Sequence, residues 1–154
     1  MRFLTLLCCA AVIAGCGKSD QPPAQDTTAV VTPPPPAPIA LTDVAGTWTM
    51  QTTAEGSDSV LVTSTMVATA DTAGWTMALP GRPVMPVRVV EVAGDSLTTE
   101  SGPYESVLRK GVTVSTRTVV RLRDGKLVGN IIARYSTAGA DSVLRLRVEG
   151  TRAP

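Results

Sequence analysis

Between Val114 and Tyr135 the chain reads VSTRTVVRLRDGKLVGNIIARY, two alternating runs that meet at Asp124-Gly125. Asp-Gly tolerates the positive φ angles that a two-residue hairpin turn demands. Side chains alternate sides along a strand, so the turn also fixes the register by counting. If Arg123 faces Lys126, then Leu122 faces Leu127, Val120 faces Gly129, Thr118 faces Ile131, Thr116 faces Ala133 and Val114 faces Tyr135. That face is apolar with small residues in it. The other face sets Arg121 against Val128, Arg117 against Ile132 and Ser115 against Arg134, which suits water.

The same grammar extends from Leu41 to Pro154. Thr, Val, Ser and Arg alternate, Gly, Pro and Asp interrupt at intervals of roughly ten residues, and helix signals are nearly absent. Strands are expected near 47–53, 59–69, 74–79, 86–93, 95–100, 103–109, 112–123, 126–135 and 141–151, two of which merge or fade. Pro83 and Pro86 are expected to delay the fourth or to place its start at an edge, because proline cannot donate to a ladder. GSDSV (56–60), GDSL (94–97) and ADSV (140–143) read as turn chemistry, since Asp and Ser side chains bond nearby backbone groups. Trp48 and Met50, Val60, Val62 and Met66, Trp75, Met77 and Leu79, and Leu144, Leu146 and Val148 extend the inner face. Short turns between consecutive strands predict an all-β fold, a small antiparallel up-and-down β-barrel of about eight strands, with a β-sandwich as the alternative.

The N-terminus carries an address. Arg2 precedes an uncharged run from Phe3 to Ala14, too short for the roughly 20 apolar residues of a membrane-spanning helix, and of the form that secretory signal peptides take. Ile13-Ala14-Gly15-Cys16 resembles the lipobox of bacterial lipoproteins. The resemblance implies cleavage of 1–15 and acylation of Cys16, with diacylglycerol and a palmitate-type chain anchoring the protein in the membrane. An ordinary signal peptide would instead leave Cys16 as a free thiol, the single cysteine remaining after cleavage. Gly17 is not acidic, and in the lipoprotein family that implies the outer membrane, facing the periplasm of the bacterial envelope. Residues 16–40, with QPPAQDTTAVVTPPPPAPIA, form a lipid-anchored Pro-rich tether, extended at about 3.1 Å per residue. The barrel domain is expected over 41–154.

Asp43-Val44-Ala45-Gly46-Thr47-Trp48 resembles the opening of lipocalins and fatty-acid-binding proteins, whose Gly-x-Trp stands at the first strand. The resemblance implies a lipocalin-like barrel whose base is plugged by Trp48, and Arg152 in EGTRAP is the arginine that would meet it through a cation–π contact.

The full chain has 14 basic and 13 acidic residues, so net charge points to no nucleic-acid partner. With no histidine and Cys16 acylated, serine–histidine and cysteine–histidine catalysis and ordinary zinc sites are excluded. Glu55 with Asp58 and Ser101 with Lys110 have acid-pair and dyad residue types but nothing more, so no enzyme, cofactor or metal is expected. The expected ligand is a small apolar molecule in the lumen, touched by Met50, Met66, Trp75, Met77, Ile131 and Tyr135. Methionine is adaptable and polarizable, and Trp75 and Tyr135 have the polar handles that suit a barrel mouth. The alternative is that the methionines fill the barrel and the protein is an envelope interaction module. TESGPYESVLRKG (99–111), with Ser101-Gly102, Tyr104 and Lys110-Gly111, is similar to loops of membrane-bound lysozyme-inhibitor lipoproteins. The outward arginines Arg117, Arg121, Arg123, Arg145 and Arg147 are a third candidate surface, for lipopolysaccharide phosphates.

Overall fold

The computed structural model describes residues 37–154. The expected signal peptide, Cys16 and most of the tether lie outside the described residues. A single helical turn, α1 (Leu41–Val44), leads into β1 (Gly46–Ala54), β2 (Val60–Ala68), β3 (Thr76–Ala78), β4 (Met85–Ala93), β5 (Ser96–Glu105), β6 (Thr113–Arg123), β7 (Lys126–Tyr135) and β8 (Val143–Arg152). Each strand pairs antiparallel with the next, and β8 returns to β1, giving a closed eight-stranded barrel. Closure removes every sheet edge, so the barrel stands in place of the sandwich.

The β6–β7 register follows the turn as counted: Arg123 pairs with Lys126, Val120 with Gly129 and Val114 with Tyr135. Asp124 and Gly125 take φ of 50° and 76°. Along β8, Leu146 and Val148 are buried and Leu144 half-buried, while Arg145, Arg147 and Glu149 face out. Outer-face charges pair across strands. Arg117 meets Glu100 at 3.2 Å, Lys126 meets Glu149 at 2.8 Å, Arg147 meets Asp58 at 3.3 Å, and Arg121 and Arg123 share Asp95. Exposed pairs of this kind contribute little each, and they answer the solvated-face expectation for four of the five outward arginines.

Several expectations need correction. The strands expected at 95–100 and 103–109 are one strand, β5, joined through a register shift between Ser101 and Tyr104, and residues 106–112 form a turn instead. The strand expected over 74–79 shrinks to three residues, and its pairing with β4 involves only Thr76 with Pro86 and Met77 with Met85. Proline at that seam removes a donor, as expected. Val60 has inward parity, yet the register shift at Thr52/Thr53 puts it on the rim, 47% exposed. The domain also begins before residue 41: Ile39 is buried in the core and its N–H donates to the Gly94 carbonyl at 2.8 Å.

Candidate functional site

Because consecutive strands run up and down, the turns fall at two ends. One end is shut. Trp48 is fully buried, its indole N–H donates to the Val44 carbonyl at the end of α1 at 2.8 Å, and the Arg152 guanidinium lies 4.5 Å above its ring. The same guanidinium donates to the Ala45 and Asp43 carbonyls at 2.7 and 2.5 Å, so one side chain ties β8 to both the helical turn and the plug. A Cβ at Gly46 would stand 2.8 Å from Arg152 Nη1. Gly-x-Trp therefore has a physical reason here: the glycine leaves the space that the arginine crosses to reach the tryptophan.

Above this floor Met50 and Met66 pack with Val87, Leu97, Val120, Leu127 and Val148. The space they leave is a narrow lumen of about 90 Å³. Its apolar wall includes Met50, Met66, Met77, Ile131, Leu146 and Val148. Hydroxyls gather on β5 and β6, where Thr99 pairs with Thr118 and Ser101 with Thr116 across the strands. Thr52 and Ser64 add two more on β1 and β2. Among the described residues no charged side chain lines the lumen.

Five of the six expected ligand contacts, Met50, Met66, Met77, Ile131 and Tyr135, stand on this wall. Trp75 does not. It is 1% exposed and belongs to the floor cluster, with its indole N–H donating to the Asp71 carbonyl at 2.7 Å. The cause is local: Thr69 Oγ1 donates to the Ala73 carbonyl at 2.5 Å and the Ala73 N–H donates to Asp71 Oδ1 at 2.6 Å, coiling the β2–β3 connection and tucking the indole inward.

The open end is built from the β1–β2, β3–β4, β5–β6 and β7–β8 connections. Tyr104, Val114, Ala133 and Tyr135 form a second apolar cluster there. Burial raises the Tyr104 phenol above its ordinary value, despite a hydrogen bond with Thr116 that lowers it. Exposed apolar side chains ring the opening: Val60, Leu61, Val84, Leu108 and Val143. Sequence alternation does not find Arg109, because it lies in the β5–β6 turn. Its guanidinium sits 4.1 Å above the Tyr135 ring and donates to the Asp141 carbonyl at 2.6 Å. That turn is shaped by Ser106 Oγ, which accepts from the N–H groups of Leu108 and Arg109.

The β3–β4 connection is strapped across the same rim. Arg82 Nη1 donates to Glu105 at 2.9 Å, and Glu105 also accepts the Gly111 N–H at 3.1 Å. The Arg82 hydrogen bond, then the Gly111 N–H, hold the Glu105 carboxyl down to about 2, from an ordinary 4.5. A depressed carboxyl stabilises the folded state above its unfolded pKa, and that contribution disappears as pH falls from about 4.5 to about 2. Glu105→Gln should therefore flatten the melting-temperature profile in that acidic window and leave its shape near neutrality unchanged. Parallel profiles for the two proteins across the window would contradict the strap.

The other sequence candidates are not gathered into a reactive group. Ser101 faces the lumen while Lys110 stands exposed in the β5–β6 turn, and no hydrogen bond joins them among the described residues. Asp58 is committed to Arg147, and Glu55 is exposed. Among the described residues no set of three or more acidic, cysteine or histidine side chains is placed to hold a metal. In the 99–111 segment, Ser101 points inward, so it does not belong to an exposed loop surface. Comparisons with protein-family models, with curated proteins and with solved structures find no match for this chain.

Proposed function

We propose that this chain is a lipid-anchored protein of the bacterial envelope, held through Cys16 in the outer membrane and facing the periplasm, whose barrel receives a slender apolar ligand. The anchor rests on the sequence, on Ile13-Ala14-Gly15-Cys16 behind an uncharged run. The observation that carries the ligand reading is the lumen itself: shut at one end by Trp48, open at the other, and walled by three methionines and aliphatic side chains. Each methylene moved from water onto such a wall contributes about 0.8 kcal/mol, and methionine adapts its shape to the chain that enters. The role is binding, not catalysis.

Displacement of a fluorescent acyl probe tests the lumen. Thr118→Leu, which extends an apolar side chain into the free space, should weaken probe binding at least tenfold while the fold persists, as judged by circular dichroism. Undiminished binding in a folded Thr118→Leu protein would place the ligand elsewhere. For the anchor, Cys16→Ser should leave the protein unprocessed or free of the membrane fraction, since multiple acyl chains on one residue make release negligible. Normally processed, membrane-bound Cys16→Ser protein would contradict it. A second reading, docking of a protein partner on the open end, is favoured by the exposed side chains of Val60, Leu61, Val84, Leu108 and Val143.

A further inference from the structure

We infer that one flank of the open end docks on the surface of an anionic bilayer, through Arg109, Lys110, Arg134 and Arg145 together with the aliphatic side chains of Leu108 and Val143. The choice of partner rests on the envelope reading, but the contact needs neither a lipid on Cys16 nor a ligand in the lumen. Of the five outward arginines, only Arg145 has no carboxylate within 4 Å among the described residues, and Arg109, Lys110 and Arg134 share that condition. Arg109 and Lys110 lie in the β5–β6 turn, Arg134 is the last residue but one of β7, and Arg145 is the third of β8. All four therefore stand at the open end. The acids of that end without a cation are only two, Glu55 and Asp141, since Asp58 is matched by Arg147 and Glu105 by Arg82. Asp43, Asp71 and Asp124, also without a cation within 4 Å among the described residues, stand at the shut end. Charges sorted in this way turn the open end toward a negative surface.

The four cations belong to one continuous surface. Arg134 pairs with Val143 across β7 and β8, and Arg134, Val143 and Arg145 line a single surface groove. Arg109 ties the β5–β6 turn to that flank, because its guanidinium stacks on Tyr135, the chain neighbour of Arg134, and donates to the Asp141 carbonyl. Among these charges Leu108 and Val143 stand 38% and 39% exposed. A soluble anion would answer the guanidinium groups and leave both aliphatic side chains in water. A bilayer surface answers both: lipid phosphates accept from the guanidinium forks, and aliphatic side chains enter the boundary between headgroups and acyl chains. The tether permits this orientation although it joins the shut end, where the Ile39 N–H meets the Gly94 carbonyl in the β4–β5 turn. The 20 residues between Cys16 and Ala37 can span up to about 65–70 Å. That is twice the roughly 35 Å length of the 11-residue β6, so a chain held at Cys16 can turn its open end back to the same leaflet.

The test uses the chain from residue 16 carrying Cys16→Ser, which has no lipid, so that docking is scored apart from the anchor. Co-sedimentation with vesicles of phosphatidylcholine containing about one-quarter phosphatidylglycerol should show binding that weakens as salt rises. Vesicles of phosphatidylcholine alone should retain little of the protein. Arg134→Gln with Arg145→Gln should weaken binding to the mixed vesicles about 20-fold, roughly fivefold for each cation. Leu108→Asn with Val143→Asn should weaken it about tenfold with every charge kept. Arg121→Gln with Arg123→Gln removes the same charge near the shut end and should stay within twofold, each variant being folded by circular dichroism. An equal loss in that control would make binding a matter of net charge and overturn the docking face, as would equal binding to the two kinds of vesicle. Binding to neither would refute the bilayer and leave the face to a protein partner. Release by glycerol phosphate at matched phosphate concentration would assign the cations to a soluble anion. A dimer in sedimentation velocity that Leu108→Asn with Val143→Asn dissolves would give the face to a second copy. Either of these also refutes the bilayer, and none of the outcomes touches the Cys16 reading, which stands or falls by the membrane fraction of the processed protein.

Discussion

Trp48→Ala is expected to destabilise the barrel by about 3–5 kcal/mol, the range found when large aromatic side chains are deleted from cores. The expectation is at the upper part of that range, because three losses coincide. The indole is fully buried against Val44, Met50 and the floor aliphatics, so its removal opens a cavity at the shut end. The Val44 carbonyl loses the donor that anchors α1. Arg152 loses the ring it lies on, although its two carbonyl partners remain. For a domain of this size the melting temperature should fall by more than about 10 °C. Trp48→Phe, which keeps most of the volume without the N–H, should recover much of the loss. A Trp48→Ala protein melting within a degree or two of the unaltered one would show that the floor does not depend on the plug.

Gly129→Ala is expected to cost as much through a single methyl group. Gly129 pairs with Val120 on the inner face, and a Cβ there would stand 1.9 Å from the Val119 carbonyl oxygen and 2.8 Å from Val120 Cα. All of those atoms are backbone, so no side chain can swing aside to relieve the overlap. The strands must separate, and β6–β7 is among the most extensive pairings of the barrel, running unbroken from Val114–Tyr135 to Arg123–Lys126. Overpacking typically costs about 1–3 kcal/mol, and a backbone collision at a strand pair should exceed it. Urea unfolding should show a lower midpoint or a largely insoluble protein. An unchanged midpoint would mean that the two strands can part at this point without cost.

Gly129 also illustrates where reading the sequence stops. Alternation and the Asp124-Gly125 turn define the partners of every residue in that hairpin, because period two and a two-residue turn leave no freedom in the count. They place Gly129 among the small residues of the inner face, where the missing side chain leaves space. The close approach of the β6 backbone consumes that space, and such an approach depends on how the whole sheet coils. The Trp48–Arg152 pairing was legible through the resemblance of Gly46-Thr47-Trp48 to the lipocalin opening, and the closed barrel realises it by pairing β1 with β8. Trp75 was not, since its position is decided by hydrogen bonds within residues 69–73 that no alternation reveals. The methionines of the lumen follow from parity alone. Arg109 does not: in a turn there is no period to place a side chain, and its stack on Tyr135 is visible only in the folded barrel.

The most direct test of the lumen reading is a methyl spectrum of the protein labelled at methionine, recorded while decanoate is added. Met50, Met66 and Met77 line the lumen, whereas Trp48 and Trp75 lie outside it. Saturable shifts of those three methyl signals, with the two indole N–H signals moving far less, are the predicted result. Methyl signals that stay in place while decanoate binds, or that never respond to it, would contradict a ligand in the barrel.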